Sequence, residues 1–149
     1  MTTTWILVAH KAGARLFENG GPGKGIELIE EIDHPEGRQS EGELQADRPG
    51  RSFQKNSGDA RRSAMSPPQS AQERITADFA RTLASRLQQA RISGELDRLV
   101  LVAPPSLLGL LRSALDAPTA HCVVGSLDKN LAMSDEDELV KHLGEVIPV

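Results

Sequence analysis

The chain has 149 residues, a formal net charge of −4, one cysteine, one tryptophan and no tyrosine, and only 3% of its residues are aromatic. That length suits one domain built on a core of Leu, Val, Ile and Ala, and the scarcity of rings disfavours an aromatic platform for stacking bases. Cys122 has no partner for an internal disulfide, and net acidity leaves only a local basic patch to attract a polyanion.

The N-terminus Met1-Thr2-Thr3-Thr4-Trp5 carries no basic n-region, and the apolar run Trp5 to Ala9 is too short for a signal segment or a membrane span. A cytoplasmic protein without a membrane partner is therefore expected. Trp5-Ile6-Leu7-Val8-Ala9 reads as a central strand, and after the Lys11-Ala12-Gly13 turn, Ala14-Arg15-Leu16-Phe17-Glu18 alternates apolar and charged residues as a hairpin partner would. Asn19-Gly20-Gly21-Pro22-Gly23 is turn chemistry, and Ile26 to Ile32 supplies a third strand.

From Asp33 to Pro68 the periodicity dissolves into Gly, Ser, Pro, Gln and charge, which predicts a long mobile basic loop over 33–68. Helix periodicity resumes after Ser66-Pro67-Pro68. Ser70 and Glu73 form a capping box, Ile75, Phe79, Leu83 and Leu87 share one face, and Gly94 ends the helix. Leu99 to Ala103 has the unbroken apolar pattern of a strand covered on both faces, and Pro104-Pro105 opens a helix to about Leu115. Ala120 to Val124 is read as a fifth strand, with Cys122 buried in it. A last helix starts near Asp135, with Ser134 as its N-cap and Leu139, Val140 and Leu143 turned inward. The order βββαβαβα predicts an α/β domain with a mixed five-stranded sheet and helices on both faces, the order of the ribonuclease H-like fold.

Several strings give the chain a more specific resemblance: Asp47-Arg48-Pro49-Gly50-Arg51, then Pro104-Pro105-Ser106-Leu107-Leu108-Gly109-Leu110-Leu111-Arg112, then Leu127-Asp128-Lys129-Asn130-Leu131. With the first two strands and Phe79-Ala80, they resemble the bacterial family called protein required for attachment to host cells. That family is in turn similar to the middle domain of archaeal and eukaryotic peptide-chain release factors. The resemblance implies a ribonuclease H-like fold and a link to translation. Release factors carry a Gly-Gly-Gln loop in the connection that corresponds here to Asp33 through Pro68. This chain has no Gly-Gly-Gln there, and Gly20-Gly21 is followed by Pro22 in a different connection. Host attachment itself then reads as an indirect phenotype, since a direct adhesin would have to be exported.

Arg48, Arg51, Lys55, Arg61 and Arg62 place five cations in a segment whose only intervening acid is Asp59, inside an acidic chain. A cationic segment can wrap phosphates and gain affinity from counterion release, so these residues are the expected contact with ribosome, rRNA or tRNA; Arg112, on a rigid helix, is a further candidate. A cytosolic protein is the alternative partner. A nuclease would need carboxylates converging on metal ions from the first and fourth strands, where the chain has His10-Lys11 and Pro104-Pro105. No pair among His10, His34, His121 and His142 has metal-ligand spacing, and Ser106 lacks the glycines of a nucleophile elbow. The chain is thus read as non-enzymatic, without metal or cofactor. Hydrolysis of peptidyl-tRNA through Gln54 or Asn56 is the remaining enzymatic reading. Gly109, costly in a helix interior, is expected where the helix approaches the sheet closely.

Overall fold

The computed structural model describes residues 2–37 and 71–149. Its sheet has the order β3-β2-β1-β4-β5, formed by β1 (Thr4–His10), β2 (Gly13–Asn19), β3 (Glu27–Asp33), β4 (Arg98–Val102) and β5 (Val123–Leu127). β1 pairs antiparallel with β2 and parallel with β4, while β2 pairs antiparallel with β3 and β4 parallel with β5. The mixed five-stranded α/β architecture expected from the sequence is the one observed.

Side chains on a strand alternate between faces, and β1 uses the alternation to supply two cores. Trp5, Leu7 and Ala9 join Leu16, Leu99 and Leu101 beneath α1 (Ala71–Ile92) and α2 (Pro105–Ala114). Ile6 and Val8 join Phe17, Val100 and Val102 beneath α4 (Glu136–Leu143), whose Leu139 and Leu143 are completely buried. The four-residue spacing read in the sequence holds for α1, with Phe79, Leu83 and Leu87 buried and Ile75 half-buried. On α4, Leu139 and Leu143 face inward, with Val140 half-buried.

Four expectations shift. The fifth strand is Val123–Leu127, because the residues before it form a one-turn helix, α3 (Ala117–Ala120), capped by Asp116, whose side chain accepts the Thr119 N–H at 3.0 Å. Local capping outcompetes the short strand pattern at its start, and the strand runs on instead through Gly125 and Ser126 to Leu127. Cys122 consequently precedes the strand and is half-buried. The cap of α4 is Asp135, which accepts the Glu138 N–H at 2.9 Å, one residue past the expected Ser134. Asp33 belongs to β3, and residues 35–37 are helical, so the irregular stretch begins later than Asp33. Ser70, the expected cap of α1, lies outside the described residues.

Gly109 is the fourth correction. It is exposed on α2, and a Cβ there would meet nothing within 4 Å, so close packing does not explain it. Gly109→Ala should stabilise the protein by about 0.5–1 kcal/mol through helix propensity alone. Urea denaturation checks this, and a loss of stability would mean that the open space at Gly109 is not there.

Asp116 gives a second prediction. Its carboxyl is held below the ordinary value of 3.8, first by the Thr119 hydroxyl, then by the Thr119 N–H, with the Arg91 charge adding to both. A depressed carboxylate contributes stability above its unfolded pKa and loses it as pH falls through the folded value. Stability should therefore fall more steeply below about pH 3.8 in the natural chain than in Asp116→Asn, as read by thermal unfolding across an acid series.

Candidate functional site

The basic segment read in the sequence leaves the described structure after Gly37 and re-enters it at Ala71. The point of departure is built tightly. β1 ends at His10, the Lys11-Ala12 turn reverses into β2, and the His34–Gly37 segment folds back onto that reversal. The His34 N–H donates to the Ala12 carbonyl at 3.0 Å, and the Gly37 N–H to the His34 carbonyl at 3.0 Å.

The His34 ring completes the clasp. It stacks on Phe79 of α1 with centroids 3.9 Å apart and planes 3° from parallel, and its Nδ1 lies 2.5 Å from the Lys11 carbonyl oxygen. A carbonyl only accepts, so Nδ1 carries the proton. Glycine is required at position 37 because a Cβ there would overlap the Lys11 carbonyl and come within 2.6 Å of His34 Nδ1. At Gly13 a Cβ would lie 2.9 Å from the Ile32 carbonyl oxygen. Sequence reading left His34 as a scattered histidine, since nothing local shows that residue 79 will meet it.

On the α4 side of the same sheet end, a cavity of about 630 Å³ is lined by His10, Arg15, Glu31, Asp33 and Met133, among others. Arg15, the register partner of Glu31, spends Nη2 on the carbonyls of Leu131, Ala132 and Ser134 at 3.2, 2.9 and 3.0 Å. Its guanidinium carbon also sits 5.2 Å over the Phe17 ring. Arg15 therefore ties the loop after β5 to the sheet. His10 Nδ1 accepts the Ala12 N–H at 3.3 Å. Among the described residues, no group of three or more His, Cys, Asp or Glu could hold a metal ion, and no helix is long and apolar enough to cross a membrane.

The expected contact residues divide into two sets. Arg48, Arg51, Lys55, Arg61 and Arg62, with Asp47, Pro49 and Gly50 of the same string and Gln54 and Asn56, lie outside the described residues. Arg112 is exposed at the end of α2 and donates to the Ser126 hydroxyl, which ties α2 to β5. Pro104 precedes α2 and Pro105 is its first residue, where a missing N–H costs nothing. In the string 127–131, Leu127 and Leu131 are buried, Lys129 lies 3.5 Å from Glu145, and Asn130 accepts the Ala132 N–H at 3.3 Å. The prolines and the 127–131 string thus serve packing and tethering.

A mixed sheet with helices on both faces defines an α/β domain of the kind found in translation termination factors. The archaeal termination factor aRF1 superposes with a TM-score of 0.53 at 12% identity, covering 98% of this chain and 35% of that one. A structure described as an archaeal protein gives a TM-score of 0.50 at 11% identity, again over 98% of this chain and 35% of the other. The chain spans about a third of the length of these two structures, and at such identities the likeness is one of fold. No curated protein matches the chain in sequence. The family described as protein required for attachment to host cells matches residues 5–143, and the chain belongs to it.

Replacing His34 by Ala removes the stack and the hydrogen bond to the Lys11 carbonyl. The expected loss is about 2–3 kcal/mol, measured by chemical denaturation. A change below about 0.5 kcal/mol, the level of an ordinary surface substitution, would show that the clasp does not hold the sheet end.

Proposed function

We propose that this protein is a cytoplasmic, non-enzymatic module that associates with the ribosome or with rRNA or tRNA through Arg48, Arg51, Lys55, Arg61 and Arg62. Host attachment is then an indirect consequence. The observation that carries the reading is the concentration of five cations against one acid within residues 48–62, in a chain whose net charge is −4. Such a segment has a charge suited to a phosphate backbone, and its affinity would rest on released counterions. The fold shared with an archaeal translation termination factor supports a translation-linked partner. Absence of Gly-Gly-Gln from residues 33–68 favours binding over peptidyl-tRNA hydrolysis. Because Arg112 is tied to Ser126, it is assigned a secondary part at most.

Co-sedimentation with ribosomes across a salt series tests the reading. The natural chain should pellet with ribosomes at low salt, weaken as salt rises, and lose binding when Arg48, Arg51, Lys55, Arg61 and Arg62 are changed to Ala. Loss of five phosphate contacts from a duplex-like target corresponds to a salt slope shallower by about four to five. No pelleting at low salt, together with a stable complex with a cytosolic protein free of nucleic acid, would replace this reading with a regulatory protein-interaction module.

A further inference from the structure

At the opposite end of the sheet from the clasp, three polar side chains stand in one row across three adjacent strands. Thr4 on β1 is the register partner of Asn19 on β2 and of Arg98 on β4. Alternation puts all three on the face that carries Ile6, Phe17 and Val100, the α4 face. Neighbours in such a row have Cβ atoms about 5 Å apart. The row borders a cavity of about 340 Å³, walled by the Gly20-Gly21-Pro22 turn on one side and by Ile147 and Pro148 on the other.

The three residues differ in how far they are committed. Asn19 is 3% exposed and fully used: its Nδ2 donates to the Gly25 carbonyl at 2.6 Å and its Oδ1 accepts the Gly21 N–H at 3.1 Å. It shapes the glycine turn, which the chain end also braces, the Gly25 N–H donating to the Val149 carbonyl at 2.8 Å. Thr4 is 6% exposed as a residue and lines the cavity, and its hydroxyl is not an orphan sealed in the core, since among the described residues the buried side-chain polar atom without a partner is Trp5 Nε1. Arg98 lines the same cavity, and among the described residues neither a carboxylate nor a carbonyl engages its guanidinium. The nearest acid in sequence, Asp97, precedes β4 and accepts the Thr3 N–H at 2.9 Å.

A cavity in an acidic protein that offers an uncommitted guanidinium and a hydroxyl side by side presents donors and positive charge. We infer that the cavity beside Thr4 and Arg98 binds the phosphate group of a small molecule. The guanidinium fork takes two oxygens of an oxyanion in its own plane. Phosphate has a further oxygen out of that plane for the Thr4 hydroxyl; a planar carboxylate matches the fork alone. The volume lies at the small end of ligand pockets, which sets the partner as a compact phosphorylated molecule. Ile147 and Pro148 give its carbon skeleton an apolar wall. The site shares no residue with segment 48–62, so it stands or falls separately from the ribosome reading.

Inorganic phosphate is the probe, titrated into the full chain and followed by two-dimensional amide NMR, with acetate as the planar comparison. Shifts should cluster at Thr4, Asn19, Gly20 and Arg98. Arg98→Ala should weaken phosphate binding about tenfold or more, and Thr4→Val, which keeps the side-chain shape, by about three- to tenfold. Arg81→Ala, a remote surface change on α1, should leave it unaltered. The inference is overturned by any of four results: no phosphate binding at tens of millimolar, acetate binding as tight as phosphate, survival of binding in Arg98→Ala, or equal weakening by Arg81→Ala. Thermal unfolding of each variant without phosphate separates loss of the site from loss of the fold.

Discussion

Two-sided burial of β1 is the constraint on which the other elements depend. Residues 5 to 9 are each no more than 2% exposed, so this strand cannot sit at an edge or face solvent on either side. It needs a hydrogen-bonded neighbour on both flanks and a covering layer on both faces. β2 and β4 supply the flanks, one antiparallel through a tight turn and one parallel through a long crossover. α1 and α2 cover Trp5 and Leu7, and α4 covers Ile6 and Val8. Even the one buried polar atom without a partner among the described residues, Trp5 Nε1, belongs to this strand. Arg86 lies 5.2 Å over the Trp5 ring and bonds Glu30 at 2.9 Å, tying the central strand, α1 and β3 together.

A central strand so thoroughly used for packing has side chains left for chemistry only at its two ends, and the two ends are built differently. At the His10 end the polar groups are turned on the protein itself: His34 on the Lys11 carbonyl, Arg15 on three carbonyls of the loop after β5, His10 on the Ala12 N–H. The result is a rigid base at the point where the basic segment leaves the sheet. At the Thr4 end, only Asn19 is spent on internal bonds, while Thr4 and Arg98 border open space. The proposed phosphate site follows from that difference in commitment, because a polar group already paired inside the protein has little to offer a ligand.

The likeness to a termination factor and the family membership bear on different levels. Shared fold at 12% identity means that the same layered solution buries the same kind of sheet. It carries no residue-level role, and the proposal for the basic segment accordingly rests on its charge. Membership in the host-attachment family covers residues 5–143, the sheet apart from Thr4. The described strings that suggested that membership are largely structural: Pro105 opens α2, and Leu127 and Leu131 close the core under α4. Gly109 stands apart, exposed on α2 with nothing in the structure that explains it.

Much of this architecture is legible in the linear chain. Unbroken apolar runs at Trp5–Ala9 and Leu99–Ala103 specify buried strands, four-residue spacing specifies α1, and Pro105 marks the start of α2, because each of these signals is local and periodic. The basic character of 48–62 is likewise a property of composition. What only the tertiary structure decided lies where distant residues meet. Capping by Asp116 and the bond from Arg91 to Thr119 replaced part of an expected strand with a helical turn. The stack of His34 on Phe79 joins residues 45 positions apart in the chain. Thr4, Asn19 and Arg98 become one row only when β2, β1 and β4 align in register. Periodicity reports which face a side chain takes, but the neighbour it finds there is set by strand order and register, which no single segment encodes.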